Sequence, residues 1–154
     1  MSEAVTSGWL EGACHHFPLR VYYADTDAGG IVYHATYLNF AERARTEMMR
    51  LFGLDHLRLK QEEGLLFAVR SCEMDFLRPA KLDDFLTVRS TLSHMGGASM
   101  HIRQSIRRGE EELVSMVIRL VCMSFEGGKA ARIPAVLREV LQQFISQEAD
   151  LSHE

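Results

Sequence analysis

The sequence predicts an α+β domain in which one long helix lies across an antiparallel sheet. Three observations carry this expectation. From Thr36 to Leu51, the apolar residues Tyr37, Phe40, Ala41, Ala44, Met48 and Leu51 recur at helical spacing, while Glu42, Arg43, Arg45, Glu47 and Arg50 largely occupy other faces. Four strand-like segments follow, joined mostly by turns too short for anything but antiparallel pairing. A single long helix covers only one face of the resulting five-stranded sheet.

Taken in order, residues 1–14 show no convincing period and read as a flexible tail, with one domain expected over residues 15–150. Phe17 to Ala24 is rich in aromatic and branched residues and reads as the first strand. A turn covers Asp25 to Gly30, and the long helix follows, stopped by Gly53 as a C-terminal cap. Leu54 to Glu63 reads as a shorter helical or irregular stretch ended by Gly64. The next strands are Leu65 to Arg78, Phe85 to Met95, Ser99 to Arg108 and Glu112 to Phe125. Gly96-Gly97 and Gly109-Glu110 mark turns between them. The last strand is apolar on both faces (Leu113, Val114, Met116, Val117, Ile118, Leu120, Val121) and is expected to be central, with another subunit on the side away from the helix. Beyond Pro134, Ala135 to Gln147 can form a final helix.

Composition narrows the function. At 154 residues the chain suits one domain with a real core, and the net charge of −4 argues against nucleic acid as the main ligand. No apolar run approaches the ~20 residues of a membrane-spanning helix, and the N-terminus does not read as a signal peptide, so the expected location is cytoplasmic. Cys14, Cys72 and Cys122 are widely spaced and form no Cys-x-x-Cys pair, the pattern of free thiols.

The most informative stretch is Tyr22-Tyr23-Ala24-Asp25-Thr26-Asp27-Ala28-Gly29-Gly30-Ile31-Val32-Tyr33-His34-Ala35-Thr36-Tyr37. It leads from a strand through a turn with two carboxylates and two glycines into the amphipathic helix. A helix start exposes unpaired N–H groups and partial positive charge, which suit a developing oxyanion. A nearby carboxylate can attack a carbonyl or activate water. On spacing alone Asp27 reads more readily as a turn cap than as a catalytic group, since Asp is common in such loops. Asp25 reads as the turn-stabilising member of the pair.

This run, with Phe40-Ala41-Glu42-Arg43-Ala44-Arg45 and the later Phe76-Leu77-Arg78-Pro79-Ala80-Lys81-Leu82-Asp83-Asp84, resembles the acyl-CoA thioesterases associated with the Tol-Pal system (YbgC type). It is similar, more distantly, to 4-hydroxybenzoyl-CoA thioesterase. The resemblance spans roughly Phe17 to Ile133. It implies the hotdog fold, a five-stranded antiparallel sheet wrapped around the long helix, and a homodimer or homotetramer. It implies hydrolysis of an acyl-CoA thioester without a separate cofactor, coenzyme A being part of the substrate.

The resemblance also assigns residues. Asp27 matches the catalytic carboxylate, as nucleophile or general base. His34 matches the position whose backbone N–H donates to the thioester carbonyl, and its imidazole is a further candidate for proton transfer. In the 4-hydroxybenzoyl-CoA pattern that position is Tyr. Gly30 allows close approach of substrate, and Tyr23 and Tyr33 flank the turn as candidate walls for the acyl or pantetheine channel. Coenzyme A phosphates need cations. Candidates are Arg70, Arg78, Lys81, Arg103, Arg107, Arg108, Lys129 and Arg132, with Arg103 and Arg107 favoured for sharing one strand. Two other readings stay open: a hydratase or dehydratase of hydroxyacyl thioesters, and a non-catalytic module binding acyl carrier protein or envelope-associated proteins.

Overall fold

The computed structural model describes residues 6–145. Among them six strands form one sheet: β1 (Trp9–Glu11), β2 (Cys14–Arg20), β3 (Leu65–Phe76), β4 (Phe85–Met95), β5 (Ser99–Arg108) and β6 (Glu111–Ser124). Their order is β1-β2-β4-β5-β6-β3, and every neighbouring pair is antiparallel. The helices are α1 (Thr36–Leu51), α2 (His56–Arg58), which runs into a π turn at Leu59–Glu63, and α3 (Ala135–Gln142). The architecture is the α+β hotdog arrangement, with α1 cradled by the sheet. No described helix is long and apolar enough to cross a membrane.

The core lies between α1 and the inner sheet face. Tyr37, Phe40, Ala41, Ala44, Met48 and Met49 of α1 are buried against Leu86, Val88 and Leu92 of β4, Ile102 and Ile106 of β5, and Ile118 of β6. The helix has Ala35 at its N-cap and no side-chain cap bond there. A cap contributes about 1 kcal/mol. Each large buried side chain contributes about 2 kcal/mol, so packing rather than capping holds α1 in place.

Four expectations need correction. The sheet has six strands rather than five, because part of the expected tail is ordered. Gly12, at φ +59, takes the first central position of a two-residue hairpin, as a type II′ turn requires. That hairpin pairs Trp9 with His16 and Glu11 with Cys14. The Trp9 ring stacks on His16 at 5.4 Å, and Gly8 approaches so closely that a Cβ there would meet the His16 carbonyl oxygen. Residues 1–5 lie outside the described residues.

The first long strand, β2, is shifted toward the N-terminus. Tyr22 and Tyr23 have strand propensity, yet Asp25 Oδ2 accepts the Tyr22 N–H at 2.8 Å and turns the chain into a 3-10 turn at Tyr23–Asp25. Asp25 is therefore a turn-stabilising residue. The final helix stops at Gln142, followed by a turn, and Ile145 bridges to Leu92. Residues 146 and 147 of the expected helix lie outside the described residues.

β6 is interior, between β5 and β3, but its outer side is not apolar in context. Val117 there faces Arg103 on β5 and Glu73 on β3, and Ser115 faces Ser105 and Asp75. The outer face is a mixed polar surface. Edge strand β3 carries two of the exposed apolar residues, Val69 and Phe76, on its inner face.

Candidate active site

The turn between β2 and α1 is a small hairpin of its own. Thr26 bridges Val32, the Asp27 N–H donates to the Ile31 carbonyl at 2.9 Å, and the Gly30 N–H donates to the Asp27 carbonyl at 3.0 Å. Within it the Gly29 N–H donates to Asp27 Oδ1 at 2.8 Å. Oδ2 has no hydrogen-bond partner among the described residues, and the side chain is exposed. Gly30, at φ +80, occupies the left-handed region that a side chain disfavours. Gly29 does not, but a Cβ there would sit 3.2 Å from Asp27 Oδ1.

The chain then enters α1. The Tyr33 N–H donates to the Asp25 carbonyl at 3.1 Å and the Thr36 N–H to the Tyr33 carbonyl at 2.8 Å. Neither the His34 nor the Ala35 N–H meets an acceptor among the described residues. With no side chain capping the helix, these donors are open to a ligand. The His34 ring lies against Tyr33 at 4.4 Å and edge-on to Phe76 at 6.5 Å.

A groove of about 340 Å³ opens beside this helix start. Ile31, Val32, His34 and Tyr37 form one wall, and Phe76, Leu77, Arg78 and Pro79 form the other. The walls are tied together. Ala80 donates its N–H to the Tyr37 hydroxyl at 2.9 Å and accepts the Val32 N–H on its carbonyl at 2.9 Å. Burial raises the Tyr37 phenol above its ordinary pKa, so it remains a neutral hydroxyl. The groove thus combines open N–H donors, apolar walls and one cation, Arg78, whose Nε lies 3.3 Å from Glu111.

Comparison with known proteins decides the family. The thioesterase-like superfamily model matches residues 21–141, a span that contains the turn, α1 and four of the six described strands, β3 to β6. The chain belongs to the thioesterase-like superfamily. It is 41% identical over 118 residues to the acyl-CoA thioesterase YbgC of Haemophilus influenzae, covering 77% of this chain and 87% of that one. It is 42% identical over 108 residues to the acyl-CoA thioester hydrolase YbgC of Escherichia coli O157:H7, covering 70% and 80% respectively. Among solved structures, a "Probable Thioesterase" from Bartonella henselae superposes with a TM-score of 0.75 at 42% identity, covering 79% of this chain and 99% of that one.

Within this candidate site, the structure brings only some of the expected residues together. His34 is a wall of the groove, and Tyr33 packs on its ring with about half its surface exposed. Asp27 and Gly30 sit on the adjoining turn and do not wall the groove within the chain. Tyr23 is 82% exposed and also stands away from it. Arg103 and Arg107 lie on the outer sheet face, because Ile102, Gln104 and Ile106 take the positions facing α1. Arg107 donates to the Glu110 carbonyl at 2.8 Å and lies 3.9 Å from Glu112.

The residues that sequence reasoning passed over as site residues are the groove's second wall, Phe76, Leu77 and Pro79, and the buried tie at Tyr37. The Phe-Leu-Arg-Pro-Ala run was visible, but none of its apolar members announces chemistry. Arg78 stood among the candidate cations and is the one that reaches the groove.

Proposed function

We propose that this protein hydrolyses acyl-CoA thioesters at the start of α1. The observation that carries the reading is the open pair of N–H groups at His34 and Ala35 beside an apolar groove, one turn away from a carboxylate with an unengaged oxygen. Membership of the thioesterase-like superfamily, and the names carried by its YbgC relatives, supply the thioester and coenzyme A.

In this scheme the thioester carbonyl points at the His34 N–H, and the acyl or pantetheine portion lies along Tyr37 and Phe76. Negative charge that develops on the oxygen meets donors that need no rearrangement, which is where such sites gain most. Loss of one oxyanion donor elsewhere costs ~3 kcal/mol. Asp27 either attacks the carbonyl carbon, giving a mixed anhydride that water then opens, or takes a proton from water as it attacks. On both routes the C–S bond breaks and coenzyme A leaves as the thiol. Arg78 is the cation best placed to meet a coenzyme A phosphate at the groove mouth.

The active unit is a homodimer. β3 is a twelve-residue edge strand with no partner on its outer edge among the described residues, and its inner-face residues Val69 and Phe76 are about half exposed. A long apolar edge of this kind favours pairing with a second copy. Such pairing would also bring a second chain next to the groove, where the single chain leaves Asp27 outside the walls.

Thiol release measured over short, long and aromatic acyl-CoAs tests the reading. Cleavage with saturable kinetics is the expected result. Hydration of crotonyl-CoA without thiol release would point to a hydratase, and inertness toward every thioester would overturn the proposal.

A further inference from the structure

A second cavity, of about 320 Å³, lies deeper along α1, between that helix and the inner face of β3, β5 and β6. Met49, Phe67, Val69, Met100 and Leu120 give it an apolar lining, and Arg45, Glu42 and His56 are its titratable wall residues. Arg45 is only 8% exposed, and no described carboxylate lies within ion-pair distance of it. Glu42, also on the cavity wall, is exposed and acts on it only at longer range. A buried cation without a counter-charge is costly.

The guanidinium is held rather than free. Its Nη1 donates to Gln104 Oε1 at 3.0 Å, and Gln104 Nε2 donates in turn to the Ala41 carbonyl at 2.9 Å and to Ser90 Oγ at 3.0 Å. This buried chain fixes the direction of Arg45 with a neutral partner and leaves its charge without a contact ion pair among the described residues.

The cavity and the groove both border the inner face of β3. Phe76, Met74, Cys72, Val69 and Phe67 share the inner face of β3, each opposite an inward residue of β6. Tyr37 meets Phe76 at one end, at 5.8 Å between rings, and Arg45 shares the cavity with Val69 and Phe67 at the other. Nine helical steps lead from Thr36 to Arg45, roughly 14 Å along the axis. A long acyl chain running along α1 from a thioester at the helix start would span the distance to the guanidinium.

We infer that this cavity receives the distal end of the acyl group, and that Arg45 selects acyl chains ending in a carboxylate over plain alkyl chains of the same length. The inference rests on the thioesterase reading for its substrate. A guanidinium and a carboxylate match in shape as well as charge, so the ligand would supply the missing counter-ion.

The test compares wild type and Arg45→Met on sebacoyl-CoA and decanoyl-CoA, which share a carbon count and differ in the terminal carboxylate. The ratio of kcat/KM values, sebacoyl over decanoyl, is expected to fall by about tenfold or more in the variant. An unchanged ratio overturns the inference. A second readout needs no turnover: free sebacate should raise the melting temperature of wild type more than decanoate does, and Arg45→Met should lose that difference. Should Arg45→Met not fold, Arg45→Gln, which removes the charge but keeps an N–H donor for Gln104 Oε1, replaces it. Loss of the sebacate shift then supports the inference and its persistence overturns it. Sebacate bound through Arg45 in a protein that cleaves no acyl-CoA would refute the thioesterase reading while keeping the subsite. Cleavage with a ratio indifferent to Arg45 would do the reverse.

Discussion

The Gly29 N–H holds Asp27 Oδ1 at 2.8 Å, in a turn only three residues long between Asp27 and Ile31. This contact orients the carboxylate and occupies one of its oxygens, leaving Oδ2 for chemistry. It also explains the glycine. A Cβ at residue 29 would stand 3.2 Å from the oxygen it serves. Gly29→Ala is therefore expected to lower kcat by roughly tenfold through misorientation of Asp27, with little change in melting temperature because the position is exposed. Steady-state kinetics beside a thermal melt checks this. A large loss of stability with unchanged kcat in the folded fraction would contradict it.

Tyr37 supports the site from below. Its hydroxyl accepts the Ala80 N–H, so Tyr37→Phe leaves a buried amide without an acceptor. That should cost about 1–3 kcal/mol of stability, read as a lower denaturant midpoint at constant slope. Because Ala80 also anchors Val32 across the groove, KM should rise as the walls loosen. An unaltered midpoint would show that water or a neighbour replaces the phenol.

Much of the frame was legible from the chain itself. α1 begins and ends where its apolar stripe does, and β4 and β5 keep the expected limits, because Gly96-Gly97 breaks the pattern between them. β1 was not legible. Its three residues are held by the Trp9–His16 stack and the close approach of Gly8 to His16, contacts that leave no local period. Tyr22 and Tyr23 misled because their strand propensity is overridden by one Asp25 side-chain bond.

The candidate site was half legible. The turn and the helix start carry a motif, and they lie side by side. Arg103 and Arg107 were chosen for charge, yet alternation along β5 already sets them opposite Ile102, Gln104 and Ile106. The groove wall at Phe76–Pro79 depends on which strand ends beside α1, and that is a matter of sheet order rather than of local sequence.

Acid should loosen the N-terminal hairpin. His15 is fully buried, its Nε2 lies 2.7 Å from the Ser7 carbonyl, and its Nδ1 has no partner among the described residues. Burial, partly offset by that carbonyl, holds its pKa below the ordinary value near ~6.5. The unfolded chain therefore binds the proton more readily. His15 favours the fold fully above that ordinary value, and the contribution is lost as pH falls toward the lower folded pKa. Denaturation between pH 8 and pH 5 should show falling stability, in which His16 and His56, also shifted downward by burial, share. His15→Gln should flatten the slope. An identical slope would remove His15 from the account.

His34 separates backbone from side chain. If its N–H is the oxyanion donor, His34→Ala should keep a substantial share of kcat, since the main-chain group survives the substitution. A loss as large as that caused by removing the Asp27 charge would instead assign proton transfer to the imidazole.

The most direct measurement is kcat/KM for wild type and Asp27→Asn on the best acyl-CoA substrate, with a thermal melt to confirm that the variant folds. The account predicts a fall of about 10²-fold or more in the folded variant. Equal activity in the two proteins would contradict it and remove Asp27 from the reaction.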